Sequence, residues 1–414
     1  MNKTLAICVP TYNNLKAIST FCKQEVSILE EHNVDLYIFD SSITEQTKKF
    51  IEVLNEQGHN IRYARYPSDM ASNVKVYKLF EYISEKPYDY IWMIHDHTVF
   101  TVHALETILS SLEHHPDFIT LDMHNGEYRF YFFKDLDDFL VQSAWRLNSF
   151  GASIVRNDRF LRGTDWKSIS NKYNTKRTIK YSHIGLYFER ASQIQNFKAA
   201  MLTCNRSDFL DFQRSRKTTW HKETVKLCYE IWGCVITELP NQYKMKNKAL
   251  HSQDYWYLSK YSMLSYKKDK YYGPIDFIKY YKWMKLIYPK DLMNNFIIAF
   301  LPYAIADKII NRKLFSAIKR YLDDNIYIFG AGRHAKECAE YLIDHQINFN
   351  CFIVSSLSGN SESLLNHEVK EISDLPVKGN ILMIMGITTE QTSDLEHFFN
   401  VGSKNLNIEP FLFV

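Results

Sequence analysis

The stretch Tyr88-Asp-Tyr-Ile-Trp-Met-Ile-His-Asp-His-Thr-Val-Phe100 joins a buried-strand pattern to an abrupt polar end. Residues 90–94 form a continuous apolar run rich in aromatic and branched side chains, which is typical of a strand covered on both faces of a parallel sheet. The run stops at His95, Asp96 and His97, three side chains that can bind metals. Because ligands bind at the carboxyl ends of strands in open α/β sheets, this segment predicts a binding site. The alternative is a polar strand end that meets water.

Three strand-and-helix pairs precede this segment. The predicted strands are 5–9, 35–39 and 61–66, and the predicted helices are about 15–31, 44–57 and 70–84. Pro10 is expected to end the first strand because it has no N–H for the ladder, and Asn13 or Asn14 to cap the first helix. Such alternation predicts an α/β fold with a mostly parallel sheet and right-handed crossovers.

Composition excludes several classes of protein. The chain has 414 residues, of which 46% are hydrophobic and 15% aromatic, so one to three domains with large cores are expected. A net charge of +3 does not indicate a nucleic-acid partner. Seven cysteines without paired spacing predict free thiols in a reducing compartment. With no signal-peptide pattern and no apolar run long enough to span a bilayer, a cytoplasmic protein is expected, and attachment to the inner face of the membrane is left open.

The polar strand ends, taken in order, resemble glycosyltransferase family 2, whose fold is the GT-A type. The matching segments are Val9-Pro-Thr-Tyr-Asn13, Asp40-Ser-Ser-Ile-Thr44, Ala71-Ser-Asn73 and the strand end at 95–97, within about residues 3–125. The resemblance implies that Pro10, Tyr12 and Asp40 contact the base and ribose of a nucleotide. It also implies that Asn73, Lys75 and His95 lie at the donor, and that Asp96 and His97 hold a divalent cation on the diphosphate.

The triplet at 95–97 departs from the Asp-rich motif of that family. Only one carboxylate remains, and imidazole suits Mn²⁺ better than Mg²⁺, so Mn²⁺ is the expected cation. Weak or absent metal binding is the alternative, in which Lys75 or arginines of the second half carry the phosphate charge. Structural roles also compete: Asp40 as a turn or capping residue, and Asn73 as an ordinary first-turn helix residue.

The segment after the fourth strand is expected to face the acceptor. Residues 119–123 and 127–133 are predicted strands, and 149–155 resembles the family's sheet-edge segment. His183, at a predicted helix start, is the first candidate for the catalytic base because imidazole accepts protons near neutral pH; a metal ligand or a packing residue are the alternatives. Asp165 is the second candidate base. Three acidic residues are fallbacks: Asp208, Asp211 and Glu223.

The predicted domains are a GT-A domain over 1–250, a helical linker over 251–323 and a Rossmann-like domain over 324–414. Gly330-Ala-Gly332, with Ala335 as the third small residue, follows a strand and opens a helix. This region resembles the small domain that precedes sugar N-acyltransferases. The strand 349–354 ends in two serines without an acidic residue, which argues against NAD. A ligand-binding or homo-oligomerising module is expected.

Residues 271–288 alternate aromatic and basic side chains, which fits a helical bridge or contact with a membrane surface.

The leading hypothesis is an inverting glycosyltransferase. It moves a sugar from a nucleotide-sugar donor, expected to be UDP-linked, to a hydroxyl of a bacterial surface glycan such as capsule or teichoic acid, free or lipid-linked. The second hypothesis is an inactive nucleotide-sugar-binding or scaffolding protein with a decayed metal site. The third is an oxidoreductase that uses the turn at 330–335.

Overall fold

The computed structural model describes residues 3–123, 127–211, 222–321, 325–357, 360–376, 379–386 and 406–412. The chain forms two compact units, one of Met1–Asp254 with Tyr280–Pro289 and the other of Tyr255–Lys279 with Lys290–Val414. The first unit is therefore discontinuous in sequence, since ten later residues belong to it.

The described residues of the first unit form ten strands. They are β1 Lys3–Thr11, β2 Asp35–Asp40, β3 Ile61–Arg65, β4 Tyr88–Met93, β5 Thr98–Phe100, β6 Phe118–Asp122, β7 Arg129–Phe132, β8 Ser153–Arg156, β9 Ala199–Thr203 and β10 Phe209–Asp211. Eight of them form one sheet in the order β3-β2-β1-β4-β8-β6-β9-β7, and β5 pairs with β10. Strands β1 to β4 are mutually parallel, as are β6 and β9, whereas β7 and β8 run antiparallel to their neighbours.

Within the described residues, nine α-helices lie wholly in the first unit. They are α1 Leu15–Glu31, α2 Gln46–Glu56, α3 Ser72–Ser84, α4 Val102–Leu112, α5 Leu136–Ser143, α6 Trp166–Tyr173, α7 Ser182–Gln193, α8 Trp232–Glu238 and α9 Lys246–Leu250. The predicted fold class is confirmed: a mostly parallel sheet flanked by helices. Leu5, Ile7 and Val9 point to one side of the sheet and join a core with residues of α1 and α4, as expected from the two-residue period of a strand.

Three local predictions need correction. β1 continues through Pro10 to Thr11, which still pairs with Asp40, because a single missing N–H removes one ladder bond and does not end a strand. Neither Asn13 nor Asn14 caps α1 through its side chain, since both amides bond elsewhere. β8, within the segment predicted at the sheet edge, lies between β4 and β6 and is therefore central.

The second unit consists of short helices followed by a smaller sheet. The helices are α10 Lys260–Lys268, α11 Pro274–Ile287 (its second half belongs to the first unit), α12 Leu292–Phe300, α13 Tyr303–Ile310, α14 Arg312–Ile318 and α15 Arg333–Asp344. The strands are β11 Ile326–Phe329, β12 Phe352–Val354, β13 Ser363–Leu364, β14 His367–Glu371, β15 Gly379–Met385 and β16 Leu406–Leu412, in the order β13-β14-β12-β11-β15-β16. All neighbours except β13 and β14 are parallel. In the described part of the chain, no helix is both long and apolar enough to cross a bilayer.

Candidate active site

The carboxyl ends of β2, β1 and β4 meet at one edge of the large sheet. Thr11 at the end of β1 pairs with Asp40 at the end of β2, and Cys8 of β1 pairs with Met93 of β4. Neighbouring parallel strands lie about 4.8 Å apart, so the polar residues that follow them are brought within reach of one another. The edge on which the sequence predicts a site therefore carries the predicted polar side chains of these three strands.

Asp96 is the centre of a hydrogen-bond network at this edge. Its Oδ2 accepts from Thr11 Oγ1 at 2.7 Å and from Asn14 Nδ2 at 3.0 Å, and its Oδ1 lies 2.9 Å from His97 Nδ1. Burial alone would raise the pKa of the Asp96 carboxyl, but the bonds from His97, Thr11 and Asn14 outweigh burial and lower the pKa below its usual value. Asp96 is therefore a carboxylate, held by three donors from two chain segments.

Lys75 places a cation beside this carboxylate. Its Nζ donates to the carbonyl oxygen of Thr11 at 2.9 Å, and the side chain is buried on α3. Burial lowers the pKa of Lys75 to about 8, against the opposing attraction of Asp40 and Asp96. The ammonium is therefore mostly charged at neutral pH and loses its proton in the mildly alkaline range.

Asp40 is buried completely, and protein donors already occupy both of its carboxylate oxygens. Oδ1 accepts from the backbone N–H of Ser42 at 2.7 Å, and Oδ2 accepts from Tyr63 Oη at 2.8 Å and Arg65 Nη1 at 2.7 Å. Arg65 also donates to the carbonyl oxygens of Ser42 and Thr44. The Arg65 side chain keeps about a third of its surface exposed, whereas the Asp40 side chain keeps none, so Arg65 is the more accessible of the two.

The turn between β1 and α1 is fastened to the turn after β2. Asn13 adopts a left-handed backbone with φ of 48°, a conformation that asparagine tolerates better than most residues. Its Oδ1 accepts from the N–H of Ile43 at 2.8 Å, and its own N–H donates to Ser42 Oγ at 2.8 Å. These reciprocal bonds fix the two strand-end turns relative to each other.

The remaining predicted donor residues border the same edge. Tyr12, two residues after Pro10, exposes 51% of its surface, so its ring is available for a base to stack on. Asn73, near the start of α3, donates to Asn174 Oδ1 at 2.7 Å. His95 stacks on His97 with ring centroids 5.0 Å apart, and its Nε2 lies 3.5 Å from Ser149 Oγ.

His183 lies close to this edge but is buried beneath the turn at 147–150. Its Nε2 is 2.9 Å from the carbonyl oxygen of Leu147, and its ring meets the ring of Phe150 edge-on. Because a carbonyl oxygen only accepts, Nε2 carries the proton. Burial lowers the pKa of His183 to about 4, despite the bond to Leu147. At neutral pH the imidazole is uncharged and a weak base, and it anchors this turn.

The structure does not bring Asp165 to the cleft. Arg162, three residues earlier, donates to the carbonyl oxygens of Ser84 and Lys86, at the end of α3 opposite to Asn73. α3 has 13 residues, so its two ends lie roughly 18–20 Å apart. Asp165 instead caps α6, with its side chain accepting from the N–H of Ser168.

The fallback acidic residues lie in other settings. Asp208 accepts from Thr101 Oγ1 at 3.0 Å and Tyr128 Oη at 2.9 Å, and Glu223 lies 3.7 Å from Lys180 Nζ. The side chain of Asp211 lies outside the described residues.

Asp122 and Arg146 form a charged pair that the sequence reasoning missed. Asp122 ends β6 on the same edge of the sheet as Asp96, and Arg146 Nε lies 2.8 Å from its Oδ2. Met93 and Thr120 both pair with Ser153, so β4 and β6 are separated by two strand spacings, roughly 10 Å. The signal in the sequence was the same as for Asp96, an acidic residue directly after a buried strand.

A divalent cation fits this edge through His97. The bond to Asp96 places the proton on Nδ1, which in the neutral ring leaves the lone pair on Nε2, the arrangement found in carboxylate–histidine–metal sites. Within the described residues, no three His, Cys, Asp or Glu side chains converge to hold a metal by themselves. Phosphate oxygens would have to complete the coordination, as is usual for cations bound with nucleotide diphosphates.

A groove of about 400 Å³ lies elsewhere on the first unit, along α4 and β7. Its walls include His103, Glu106, His114 and Phe130. None of the predicted donor residues lines it, so it is separate from the strand-end site.

Residues 6–183 match the family model described as "Glycosyl transferase family 2". This segment includes most of β1, all of β2 to β4 and all the strand-end residues above, and it matches a glycosyl transferase family 2 domain. The predicted family resemblance of this half, and the prediction of a glycosyltransferase, are thereby confirmed at the level of the domain. The resemblance of the second unit to domains of sugar N-acyltransferases stays a prediction. No curated protein sequence matches the chain.

Several solved glycosyltransferases are similar to the chain over much of their length. Residues 1–349 of S. aureus TarS align at 12% identity with a TM-score of 0.42, over 77% of this chain and 91% of that one. The mannosyltransferase PcManGT from Pyrobaculum calidifontis, in complex with GDP-Man and Mn2+, aligns at 12% identity with a TM-score of 0.40, over 75% and 88%. Glucosyl-3-phosphoglycerate synthase from Mycobacterium tuberculosis aligns at 11% identity with a TM-score of 0.37, over 58% and 81%.

Proposed function

We propose that this protein transfers a sugar from a UDP-linked donor to a hydroxyl of a bacterial surface glycan, with inversion at the anomeric carbon. One observation carries the proposal, which concerns a segment that matches glycosyl transferase family 2. Thr11 and Asn14 bond Asp96, Lys75 bonds Thr11, and Asn13 bonds the turn after β2, so the tips of β1, β2 and β4 form one charged edge. A nucleotide diphosphate needs both anchoring polar groups and a cation, and this edge supplies both.

In the proposed reaction the acceptor oxygen forms a bond to the anomeric carbon. The bond from that carbon to the β-phosphate oxygen breaks, and its electron pair leaves with the nucleoside diphosphate. The acceptor proton goes to a base. Lys75, mostly protonated at neutral pH, neutralises the negative charge that grows on the diphosphate. Arg65 and Tyr12 hold the nucleoside, with Pro10, Asp40 and Asn73 shaping the walls around it.

A divalent cation, Mn²⁺ rather than Mg²⁺, would be held by His97 with Asp96 orienting the ring. When bound, it would act as a Lewis acid on the diphosphate. His97 offers nitrogen as the donor atom, and nitrogen donors favour Mn²⁺ over Mg²⁺. Asp96 fixes the proton on His97 Nδ1 whether or not the cation is present.

We propose Asp122 as the base that takes the proton from the acceptor hydroxyl. It lies on the strand-end edge, on the strand next to β8, and Arg146 Nε lies 2.8 Å from its Oδ2. His183 is held neutral under the turn at 147–150 and Asp165 lies at the far end of α3, so neither is placed to do this. We infer that His183 positions the turn that contacts the acceptor.

A binding screen followed by an activity assay tests the proposal. UDP, GDP and their common sugar conjugates are added to the full chain with and without Mn²⁺, and the melting temperature is recorded. Conjugates that raise it are then assayed for release of the nucleoside diphosphate. Stabilisation by a UDP-sugar together with release supports the proposal. Stabilisation without release, in the presence of bacterial glycan acceptors, supports the non-catalytic alternative, and stabilisation by NAD(P) alone supports the oxidoreductase.

A further inference from the structure

The helices of the second unit expose an unusual number of large apolar side chains. Ile275 and Ile278 are 80% and 68% exposed, and Met293 is 67% exposed. We call the following six residues the apolar face: Ile275, Ile278, Met293, Phe296, Ile305 and Ile309. Single exposed apolar residues are common on proteins, but a group of this size marks a surface that contacts something else.

The six side chains of the apolar face lie on three helices, α11, α12 and α13. α12 and α13 both pack against α10, so the sides of α12 and α13 that face away from α10 point outward. Met293 and Phe296 are three residues apart on α12, and Ile305 and Ile309 are four apart on α13, which puts each pair on one side of its helix. The ring of Phe277 lies 5.7 Å from that of Phe296, which brings the first turns of α11 beside α12.

Basic side chains are interleaved with the apolar face. Lys308 follows three residues after Ile305 and directly precedes Ile309, and Lys279 directly follows Ile278; both lysines are exposed. Arg312 and Lys313, also exposed, open α14. In the described ranges, no salt bridge involves Lys308, Arg312 or Lys313.

The acidic residues of the same helices, Asp276 and Asp307, are fewer than the four exposed basic residues named above. The carboxylate of Asp276 accepts from the backbone N–H of Gly273. Asp307 is buried, where it accepts from Asn311 and Tyr341 and lies 2.7 Å from His345 Nε2. The outward surface therefore combines apolar side chains with positive charge.

We propose that the apolar face docks on the surface of a bilayer that contains anionic phospholipids. Isoleucine and phenylalanine side chains would enter the boundary of the acyl chains, while lysines extend their methylene stems and keep their ammonium groups among the lipid phosphates. A second copy of the chain is the less suitable occupant, because pairing this surface with itself would bring its lysines and arginine together. The proposal does not rest on the activity proposed above.

Vesicle sedimentation tests the proposal on the full chain. The vesicles are phosphatidylcholine alone, or phosphatidylcholine and phosphatidylglycerol in equal parts. We expect binding to the mixed vesicles that weakens with added salt, and about tenfold or more weaker binding to phosphatidylcholine alone. Equal binding to both compositions, or none to either, would overturn the proposal.

Three variants identify the surface. Phe296→Asp with Ile309→Asp should reduce binding to the mixed vesicles by about tenfold or more, and Lys279→Glu with Lys308→Glu should do the same without removing apolar area. Val53→Asp is the matched control, since it makes the same change at an exposed apolar residue of α2 in the first unit. Melting temperatures confirm that each variant is folded.

The oligomeric state is measured in parallel by light scattering. If the apolar-face variants dissociate an oligomer while vesicle binding stays unchanged, the face is a contact between copies and the membrane proposal fails. If the wild-type protein binds the mixed vesicles but turns over no nucleotide sugar, the result counts against the proposed activity and leaves the membrane proposal intact.

Discussion

The main sheet of each unit begins with a strand, a turn and a helix, but the two turns are built from different residues. In the first unit, the turn from β1 to α1 uses Thr11, Asn13 and Asn14, and all three side chains bond to neighbouring strand ends. In the second unit, the turn from β11 to α15 has glycine at 330 with φ of 103°. The same strand–turn–helix topology thus gives two kinds of sheet edge. The first edge carries charged side chains held by hydrogen bonds, and the second edge is shaped by close backbone packing.

Gly386, directly after β15, lies at the closely packed edge of the second unit. A Cβ added there would lie 2.5 Å from the Cα of Ala335, so the end of β15 and the start of α15 are in direct backbone contact. The N–H of Gly386 also donates to the carbonyl oxygen of Phe329. Glycine here serves packing, whereas Asn13 and Asn14 serve a network around a buried carboxylate. The comparison favours the first unit as the location of the proposed chemistry.

The largest effect is expected from Asp96→Ala. The substitution removes the acceptor shared by Thr11, Asn14 and His97, so turnover of a UDP-sugar should fall about a thousandfold or more. The measurement is release of UDP under saturating donor. Asp89→Ala, the same change at the exposed, opposite end of β4, is the control and should leave turnover unchanged. Activity retained in Asp96→Ala would remove the polar edge from the mechanism.

Asp122→Asn tests whether the charged edge extends to β6. If Asp122 accepts the acceptor proton, kcat should fall by about a hundredfold while binding of UDP stays unchanged, because an amide cannot act as a base. Steady-state kinetics and UDP calorimetry measure the two effects. His183→Gln is the comparison and should lower kcat less. The reverse order would return the base to His183.

Lys75→Met tests the cation of the first edge. Loss of a charge-assisted contact to the diphosphate should weaken UDP binding by about ten- to a hundredfold. The pKa of Lys75 is lowered to about 8, so in the wild type UDP affinity should decline as pH rises through 8, when the ammonium loses its proton. The variant should lose this pH dependence. A wild-type affinity that stays flat from pH 7 to about 9.5 would contradict the role.

Through Lys75, a rise in pH is expected to affect the stability of the fold and the affinity for UDP in opposite directions. The folded-state pKa of Lys75 lies below the unfolded value of 10.5, so the fold disfavours the charged form. This penalty is present below pH 8 and is relieved as pH rises towards 10.5. Tighter binding at lower pH therefore coincides with a less stable first unit.

Gly386→Ala addresses the second edge alone. The new methyl group would overlap the backbone of Ala335, so the second unit should lose about 1–3 kcal/mol of stability. Scanning calorimetry measures the unfolding of the unit, and UDP binding by the first unit should not change. If UDP binding fell as well, the two edges would not be independent.

The smallest effect is expected from Asp165→Ala. Asp165 caps α6, so its removal should cost about 1 kcal/mol of stability and leave turnover unchanged. Chemical denaturation and UDP release provide the two readings. A large loss of turnover at unchanged stability would restore Asp165 as a base.

The elements of the first sheet could be predicted because their signals are local. The run Ile91-Trp-Met-Ile94 can only be buried, and an acidic residue directly after it stands out against that background. The alternation of strands and helices then requires parallel neighbours whose carboxyl ends share one edge. This reasoning predicted Asp96 at the carboxyl edge of the sheet, whereas the prediction for Lys75 came from the family resemblance.

The partners of these residues could not be predicted, because they depend on contacts far apart in the chain. Asn14 resembles a helix cap, yet its amide bonds Asp96, 82 positions away. Asp40 resembles an exposed ligand, yet Tyr63 and Arg65 bury it. His183 likewise gave no sign that it lies under the turn at 147–150. Side-chain burial is a property of the assembled layers and leaves no periodic trace at a single polar residue.

The ten residues that rejoin the first unit have a practical consequence for truncation. Trp283, in Tyr280–Pro289, lies so close to Gly233 that an added Cβ would fall 2.2 Å from its indole ring. A chain cut after residue 254 would expose a bare glycine surface on α8 where that ring belongs. Any minimal catalytic fragment must therefore retain α11 through Ile287. A shorter fragment is expected to aggregate when it is expressed.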